Sequence, residues 1–402
     1  MTFPMPSVSS TAFPFLPELI ALRRDIHAHP ELAFCETRTS GLVARELESC
    51  GLEVHRGLAK TGVVGVLRAG GGRRMIGLRA DMDALPLIEQ NDFPHRSVEH
   101  GRMHACGHDG HTAMLLGAAR HLARQPDFDG TVVFIFQPAE EAEGGAAAMI
   151  ADGLFERFPV EAVYGLHNWP DLPAGEMAVH IGPVMAGTCR LGVRVRGRGC
   201  HAAMPQHGVD PILAASHLIT QLQTIGTRSL SPLDAAVISI TQMQAGSAYN
   251  IIPDEAFLHG TIRSFNDEVQ ERIESAVNRL CRGVGESFGA SIEATFDRRY
   301  PPTINSAPEA RLCQRVAQAL LGEDRVATDA PPAMTAEDFS YMLREKPGCY
   351  VWLGNGKAGE KNAEDASSPC ALHNPRYDFN DDVLPIGIAY WTELVRTILP
   401  KA

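Results

Sequence analysis

In the run Met103 to His111, reading MHACGHDGH, one thiol and three imidazoles fall within nine residues, with Cys106 two positions before His108 at the start of a helix. Gly107 between them lets the backbone turn so that the two side chains converge. A cysteine at a helix N-terminus has a lowered thiol pKa, and a bound metal would deprotonate it outright. Two more clusters follow, Gln137-Pro138-Ala139-Glu140-Glu141 and Gly165-Leu166-His167-Asn168, each just after a short apolar run. Adjacent carboxylates can both face one cavity only from an irregular turn, because successive side chains on a strand alternate. One carboxylate on a metal and a second able to take a proton from water is what hydrolytic metal chemistry requires. Soft, borderline and hard donors carried to the ends of separate strands describe a catalytic metal centre, whereas a structural zinc site favours four Cys or His ligands. His167 and, near the C-terminus, His373 acquire meaning only in this company, since a single histidine is more often an ordinary core or surface residue. Asp81 and Asp83 suit a carboxylate that orients a ligand histidine through its second nitrogen, or an ordinary Asx turn.

The elements that must position these groups alternate. Residues 16–50 read as two helices, and Val63 to Leu67, Met75 to Leu78, Thr131 to Phe136 and Ala162 to Leu166 read as strands, with a helix from Thr112 to Arg124 among them. Such alternation predicts an α/β sheet covered on both faces. Ligands gather beyond the carboxyl ends of strands in such sheets, where Asp81, Asp83, Glu140, Glu141 and His167 fall. From about Ala186 the texture changes to strands at Cys189 to Val195, Ala235 to Gln242 and Ala256 to Ser264, with helices at Pro211 to Thr227 and Glu268 to Gly285. This predicts a small α+β unit inserted into the larger domain, closing at Tyr300-Pro301-Pro302. The chain then returns with a helix from Pro308 to Leu321, a strand from Tyr350 to Leu353, a short polar loop from Lys357 to Ser368 and a closing helix after Asp382. The expected division is 1–185 and 301–402 as the two segments of a catalytic domain, with 186–300 between them as a lid or dimerisation domain. Within the insert, His201, Asn250 and Arg263 would face the metals if the unit closes as a lid; the residues alone allow surface-loop roles equally.

Composition narrows the partners. A chain of 402 residues is too long for one compact core and suits two domains. The net charge of -12, without a basic stripe, argues against nucleic acid, so an anionic substrate must be drawn in by local arginines. No run approaches the roughly 20 apolar residues that span a bilayer, and the N-terminus lacks the basic start of a secretory signal. Nine cysteines without a small-domain framework fit a reducing compartment, which predicts the cytoplasm.

The clusters, in this order, resemble the dinuclear metallo-amidohydrolases that include hippurate hydrolase, bacterial N-acyl-amino-acid amidohydrolases and plant indole-acetyl-amino-acid hydrolases. The matching motifs are Arg23 to Glu31, Arg79 to Pro86, Met103 to His111, Gln137 to Glu141, Gly165 to Asn168, His201 to Pro205, Asn250 to Asp254, Gly260 to Arg263, Glu337-Asp338-Phe339 and His373 to Asp381. They run across nearly the whole chain. The resemblance implies a zinc-peptidase-like catalytic domain, its central sheet mixed but mostly parallel, with an inserted ferredoxin-like lid. It implies that Cys106 bridges two divalent ions (Zn, Mn, Co or Ni), with His108 and His167 completing one site and Glu141 and His373 the other. Glu140 would be the general base and Asp83 the carboxylate behind the ligands, with Asp81 close by but not an expected ligand. His201, contributed across a homodimer interface, would stabilise the oxyanion, Asn250 would position substrate, and Arg263 would pair with the substrate carboxylate. Cys200 stands where relatives usually have glycine, Gln206 where histidine is common, and Thr335-Ala336 where Gly or Ser is frequent, which bears on the lid and acyl pocket but not on the ligands.

The implied activity is hydrolysis of an N-acyl-L-amino acid to a carboxylate and a free amino acid. Carboxypeptidase or dipeptidase cleavage on the same site, a hydrolase using Cys106 as covalent nucleophile, and a non-catalytic protein that holds acylated ligands are the alternatives. The last has no use for the spare carboxylate of the Glu140-Glu141 pair.

Overall fold

The computed structural model describes residues 13–141, 144–356 and 371–401, so the loop expected at Lys357 to Ser368 and most of the N-terminal segment lie outside the described residues. The chain forms two compact units, one made of Met1–Gly182, Ile304–Pro331 and Tyr341–Ala402, the other of Pro183–Thr303 and Pro332–Ser340.

The first unit is built on an eight-stranded sheet. Its strands are β1 (Glu53–Leu58), β2 (Gly62–Ala69), β3 (Met75–Asp81), β4 (Gly130–Gln137), β5 (Ala162–Pro173), β6 (Met177–Ala178), β15 (Val326–Ala327) and β16 (Gly348–Gly356), in the order β1-β2-β4-β3-β5-β16-β6-β15. The central four are mutually parallel, and antiparallel pairs flank them. Every residue of β4 is buried, as a strand covered on both faces requires. The helices are α1 (Leu16–Ala28), α2 (Thr37–Ser49), α3 (His108–Arg124), α4 (Gly145–Ala151), α5 (Leu154–Arg157), α8 (Ala307–Leu321), α9 (Ser340–Glu345) and α10 (Leu384–Ile398). Helix α3 starts at His108, a full turn before the Thr112 expected from its apolar stripe, because the first turn is polar and its periodicity carries no signal. Its buried Met114, Leu115, Ala118 and Leu122 join the core of this unit.

The second unit contains β7 (Gly182–Met185), β8 (Gly187–Arg196), β9 (Cys200–His201), α6 (Pro211–Leu222), β10 (Ala236–Ala245), β11 (Ile251–Ile252), β12 (Glu255–Ser264), α7 (Asp267–Phe288) and β13 (Ser291–Tyr300), with β14 (Thr303–Asn305) at the return. Strands β10-β12-β8-β13 form an antiparallel sheet whose β-α-β-β-α-β connectivity is ferredoxin-like. The expected helix to Thr227 ends at Leu222 and passes into a wider π turn over Ile225–Ser229. Strand β13 adds a fourth strand to the three expected in the insert, with Ile292, Ala294 and Phe296 alternating with polar residues. Among the described residues no helix is long and apolar enough to cross a membrane.

Candidate metal centre

Cys106 sits at the foot of α3, held there by a left-handed Gly107 at φ 89°. A Cβ at Gly107 would overlap the Asn168 amide and the Tyr377 hydroxyl, so glycine is needed for space as well as for backbone shape. Asn168 donates its side-chain amide to the Cys106 carbonyl at 2.6 Å and accepts from the Tyr377 hydroxyl at 2.8 Å. Tyr377 in turn accepts from Asn355 at 3.1 Å. The cysteine backbone is therefore clamped from β5, β16 and the C-terminal segment.

Two trios of donor atoms share the Cys106 sulfur. Cys106, His108 and His167 form one, and Cys106, Glu141 and His373 form the other, with the atoms of each trio within 4.8 Å of one another. His167 Nδ1 donates to the Asn168 carbonyl at 2.6 Å, which leaves the Nε2 lone pair 3.5 Å from the Cys106 sulfur. Burial, with His111 and His108 nearby, holds His167 well below the usual histidine range and hence neutral, the state that binds metals. His108 Nδ1 donates to the Asp83 carbonyl at 2.9 Å, with Asp83 Oδ1 at 3.3 Å. Its Nε2 is buried and has no hydrogen-bond partner among the described residues. His373 Nε2 lies 3.2 Å from Glu141 Oε1, and the His373 backbone, left-handed at φ 62°, is tied to Ala105 O at 2.8 Å. A left-handed non-glycine residue costs roughly 1–3 kcal/mol and persists where the surroundings over-determine it.

The electrostatics fit a cation. Burial opposes charge on His108, yet Asp81, Asp83 and Glu141 outweigh it and push its pKa up to about 10. Burial and the carboxylates of Glu141, Glu140 and Asp81 hold the Cys106 thiol well above its ordinary value. That field is the reverse of the electropositive setting of a nucleophilic cysteine. The same negative charge favours divalent ions, and the donor set of one sulfur, three imidazoles and one carboxylate suits them.

Glu140 is buried and groups with His108 and Glu141 within the same 4.8 Å spacing. The turn that delivers both glutamates is irregular, with Ala139 left-handed at φ 56°. Asp83 Oδ2 accepts from the Glu141 N–H at 2.9 Å, so Asp83 braces both sides, its backbone carbonyl holding His108 and its carboxylate the glutamate turn.

His111, the third histidine of the run, has both ring nitrogens engaged. The Asn168 N–H donates to its Nε2 at 2.9 Å, so the proton sits on Nδ1 and is donated to Asp81 Oδ1 at 2.6 Å. Asp81 also pairs with Arg79 at 2.7 Å. With both ring nitrogens engaged, His111 is a brace for Asn168. The roles of Asn168, Tyr377 and Asn355 had no sequence signal beyond residue type.

In the second unit, His201 and Asn250 are neighbours, since the Ala202 N–H donates to Asn250 O at 3.0 Å. The Ala203 N–H donates to His201 Nδ1 at 3.1 Å, so the neutral ring carries its proton on Nε2 as an exposed donor. Arg263 lies on the sheet face opposite the one buried beneath α6 and α7, half-buried and with no ion pair among the described residues.

A mixed α/β sheet carrying paired Cys/His/Glu trios beside a buried glutamate fits a hydrolase with a candidate two-metal site. Residues 77–397 match the model of peptidase family M20/M25/M40. The hippurate hydrolase of Campylobacter jejuni is 40% identical over 377 residues, covering 94% of this chain and 95% of that protein. The N-acetylcysteine deacetylase of Bacillus subtilis is 37% identical, covering 96% and 98%. The crystal structure of the Bacillus subtilis YXEP protein, described as a dinuclear metal binding peptidase from the M20 family, superposes with a TM-score of 0.83 at 34% identity, covering 96% of this chain and 99% of that one. The chain belongs to peptidase family M20/M25/M40 and is a hydrolase of its metallopeptidase and amidohydrolase type.

Proposed function

We propose that the protein hydrolyses N-acyl-L-amino acids to a carboxylate and a free amino acid, with Glu140 as general base. The observation that carries this is the pair of donor trios sharing the Cys106 sulfur, with buried Glu140 beside them. Cys106, His108 and His167 would hold one divalent ion, and Cys106, Glu141 and His373 the other. When bound, such ions polarise an amide carbonyl and lower the pKa of water. Zn, Mn, Co and Ni all suit the mixed donors.

Glu140 takes the proton of the attacking water at its carboxylate and hands it to the departing amine nitrogen. Burial keeps that carboxylate out of bulk water, so the proton is held for the second transfer. His201, with its Nε2–H outward, donates to the oxyanion that forms on the carbonyl oxygen. We assign it to act on a neighbouring copy of the chain, within a homodimer. Residues 186–300 then serve as lid and dimerisation domain. The long edge strand β10, exposed along most of its length, and the exposed Ile212 and Leu213 of α6 offer a surface for that association. Asn250 positions the substrate beside His201, and the half-buried Arg263 pairs with its free carboxylate through a bidentate fork. Benzoyl and acetyl groups are the leading acyl candidates, by likeness to the hippurate and N-acetylcysteine hydrolases. The protein works in the cytoplasm, in keeping with eight free cysteines among the described residues.

Glu140→Gln tests the core of this. The variant should bind metal as the parent does and lose turnover by about 10²–10⁴-fold; turnover within tenfold of the parent, at equal metal content, removes Glu140 from the role. A panel of benzoyl-, acetyl- and indolylacetyl-amino acids and dipeptides, under several divalent metals, identifies the acyl group. It also separates amidohydrolase from peptidase activity, which the peptidase description of the YXEP protein keeps as a second reading.

A further inference from the structure

Five non-glycine residues among those described have positive φ: Phe34, Ala59, Lys60, Ala139 and His373. Four of the five lie in three loops that meet on one buried carboxylate, that of Glu36. Its Oε1 accepts from the Phe34 N–H at 3.0 Å and from the Ala139 N–H at 2.9 Å. Its Oε2 accepts from the Thr61 hydroxyl at 2.6 Å, directly after Ala59 and Lys60. Two of the left-handed residues therefore donate to the same oxygen, and each is adopting a backbone shape that an alanine or phenylalanine avoids by about 1–2 kcal/mol. Glu36 is fully buried, so its side chain has one setting rather than many.

Ala139 immediately precedes Glu140, and the peptide between them sets the direction in which Glu140 leaves the chain. On the far side, Asp83 accepts from the Glu141 N–H, so the glutamate pair hangs between two acceptors. Gly145 closes the turn from behind: its N–H donates to Ala139 O at 3.0 Å, and a Cβ there would overlap the Pro138 carbonyl. We propose that Glu36 is a positioning residue for the reaction: by holding Ala139 left-handed it aims Glu140 at the reacting water. This rests on the assignment of Glu140 as base. The Glu36 side chain hydrogen-bonds to Phe34, Ala139 and Thr61, none of them an assigned metal ligand, so bound metal is measured beside rate to separate the two effects.

Burial, opposed by the Thr61 hydrogen bond and aided by the Asp83 carboxylate, raises Glu36 to about 7. In the protonated form Oε2 donates to Thr61 while Oε1 still accepts from both amides. Glutamine has the same shape and the same acceptor, with its amide group facing Thr61. Aspartate is shorter by one C–C bond, about 1.5 Å, and cannot reach Ala139 from the same backbone.

The experiment compares Glu36→Asp and Glu36→Gln in the metal-loaded enzyme, measuring kcat, KM, bound metal and the crystal structure of each. A misplacement near 1 Å costs up to about 100-fold. Glu36→Asp should lower kcat by about 10- to 100-fold with KM and metal content within twofold of the parent, and Glu36→Gln should stay within about threefold. In the Glu140→Gln background the aspartate variant should cost less than twofold more, because there is no longer a base to aim. Should Glu36→Asp not fold, Glu36→Gln together with Ala139→Gly, whose glycine adopts the turn without strain, stands in for it, and lost turnover in that pair overturns the proposal. It is also overturned by parental kcat in Glu36→Asp, by a loss that persists in full without Glu140, or by a loss of metal matching the loss of rate. If Glu140→Gln itself retains turnover, the base assignment fails separately, and an unchanged left-handed Ala139 in the Glu36→Asp structure still refutes the pin.

Discussion

Removing the Asp83 carboxylate should weaken metal binding by a calculable amount. The Asp83 backbone carbonyl, which accepts from His108 Nδ1 at 2.9 Å, is untouched by Asp83→Ala, so the ring keeps its orientation. Two other things are lost. The Glu141 N–H loses its acceptor at 2.9 Å, which for a buried amide costs about 1–3 kcal/mol, here toward the lower end because Glu141 is partly exposed. The negative charge 3.3 Å from His108 Nδ1 also disappears, and with it part of the field that favours a cation. Outer partners of metal ligands typically contribute about 10- to 100-fold in affinity, or about 1.4–2.8 kcal/mol. The lost hydrogen bond alone accounts for the lower end of that range, and the lost charge adds to it. Chelator competition with metal analysis should show affinity for the more weakly held ion reduced by about 10- to 100-fold, while kcat at saturating metal stays within about tenfold. Asp83→Asn, which still offers an oxygen to Glu141, should lose less. A folded Asp83→Ala variant with parental metal affinity would refute the coupling of His108 and Glu141 through this side chain.

Three further outcomes follow from the same geometry. Gly107→Ala should destabilise the fold by at least about 1–2 kcal/mol from its left-handed backbone, with overlap on Asn168 and Tyr377 adding to it, and melting together with metal content measures both losses. His27, buried between Asp109 at 2.9 Å and Glu89 at 3.2 Å, has its pKa raised to about 9 because these carboxylates outweigh the burial that opposes its charge. Its contribution, about 3 kcal/mol, is complete below about pH 6.5 and lost as pH rises through about 9; chemical denaturation across that window should show the decline in the parent and a flatter profile in His27→Gln. Arg263→Ala should raise KM for N-acyl amino acids by about 10- to 100-fold yet leave the corresponding C-terminal amides unaffected, and an equal effect on both substrates would remove Arg263 from carboxylate recognition.

Much of this molecule was legible in one dimension. The apolar runs of β3, β4 and β5 mark a buried parallel core, since strands covered on both faces leave no polar alternation. Glu140 and Glu141 announce themselves by residue type just beyond the end of β4, where α/β sheets collect ligands, and Cys106 by its place among the histidines before α3; His167, expected past a strand end, lies within β5, which runs on to Pro173. Ligand chemistry is a property of side chains, so the kind of reaction can be read from their order. Which donor atom is available is not such a property. His108 and His111 occupy the same helix turn, yet His108 Nε2 has no partner among the described residues and both nitrogens of His111 are committed to Asp81 and Asn168. Nor could spacing reveal that Glu36, more than 100 residues upstream, reaches the backbone of Ala139. Hydrogen bonds between distant segments depend on how the layers close, and closure alone decides which buried polar groups meet. Sequence therefore pointed to metal-hydrolase chemistry and laid out the α/β plan, while tertiary packing chose the tautomers, the braces and the direction of each functional group.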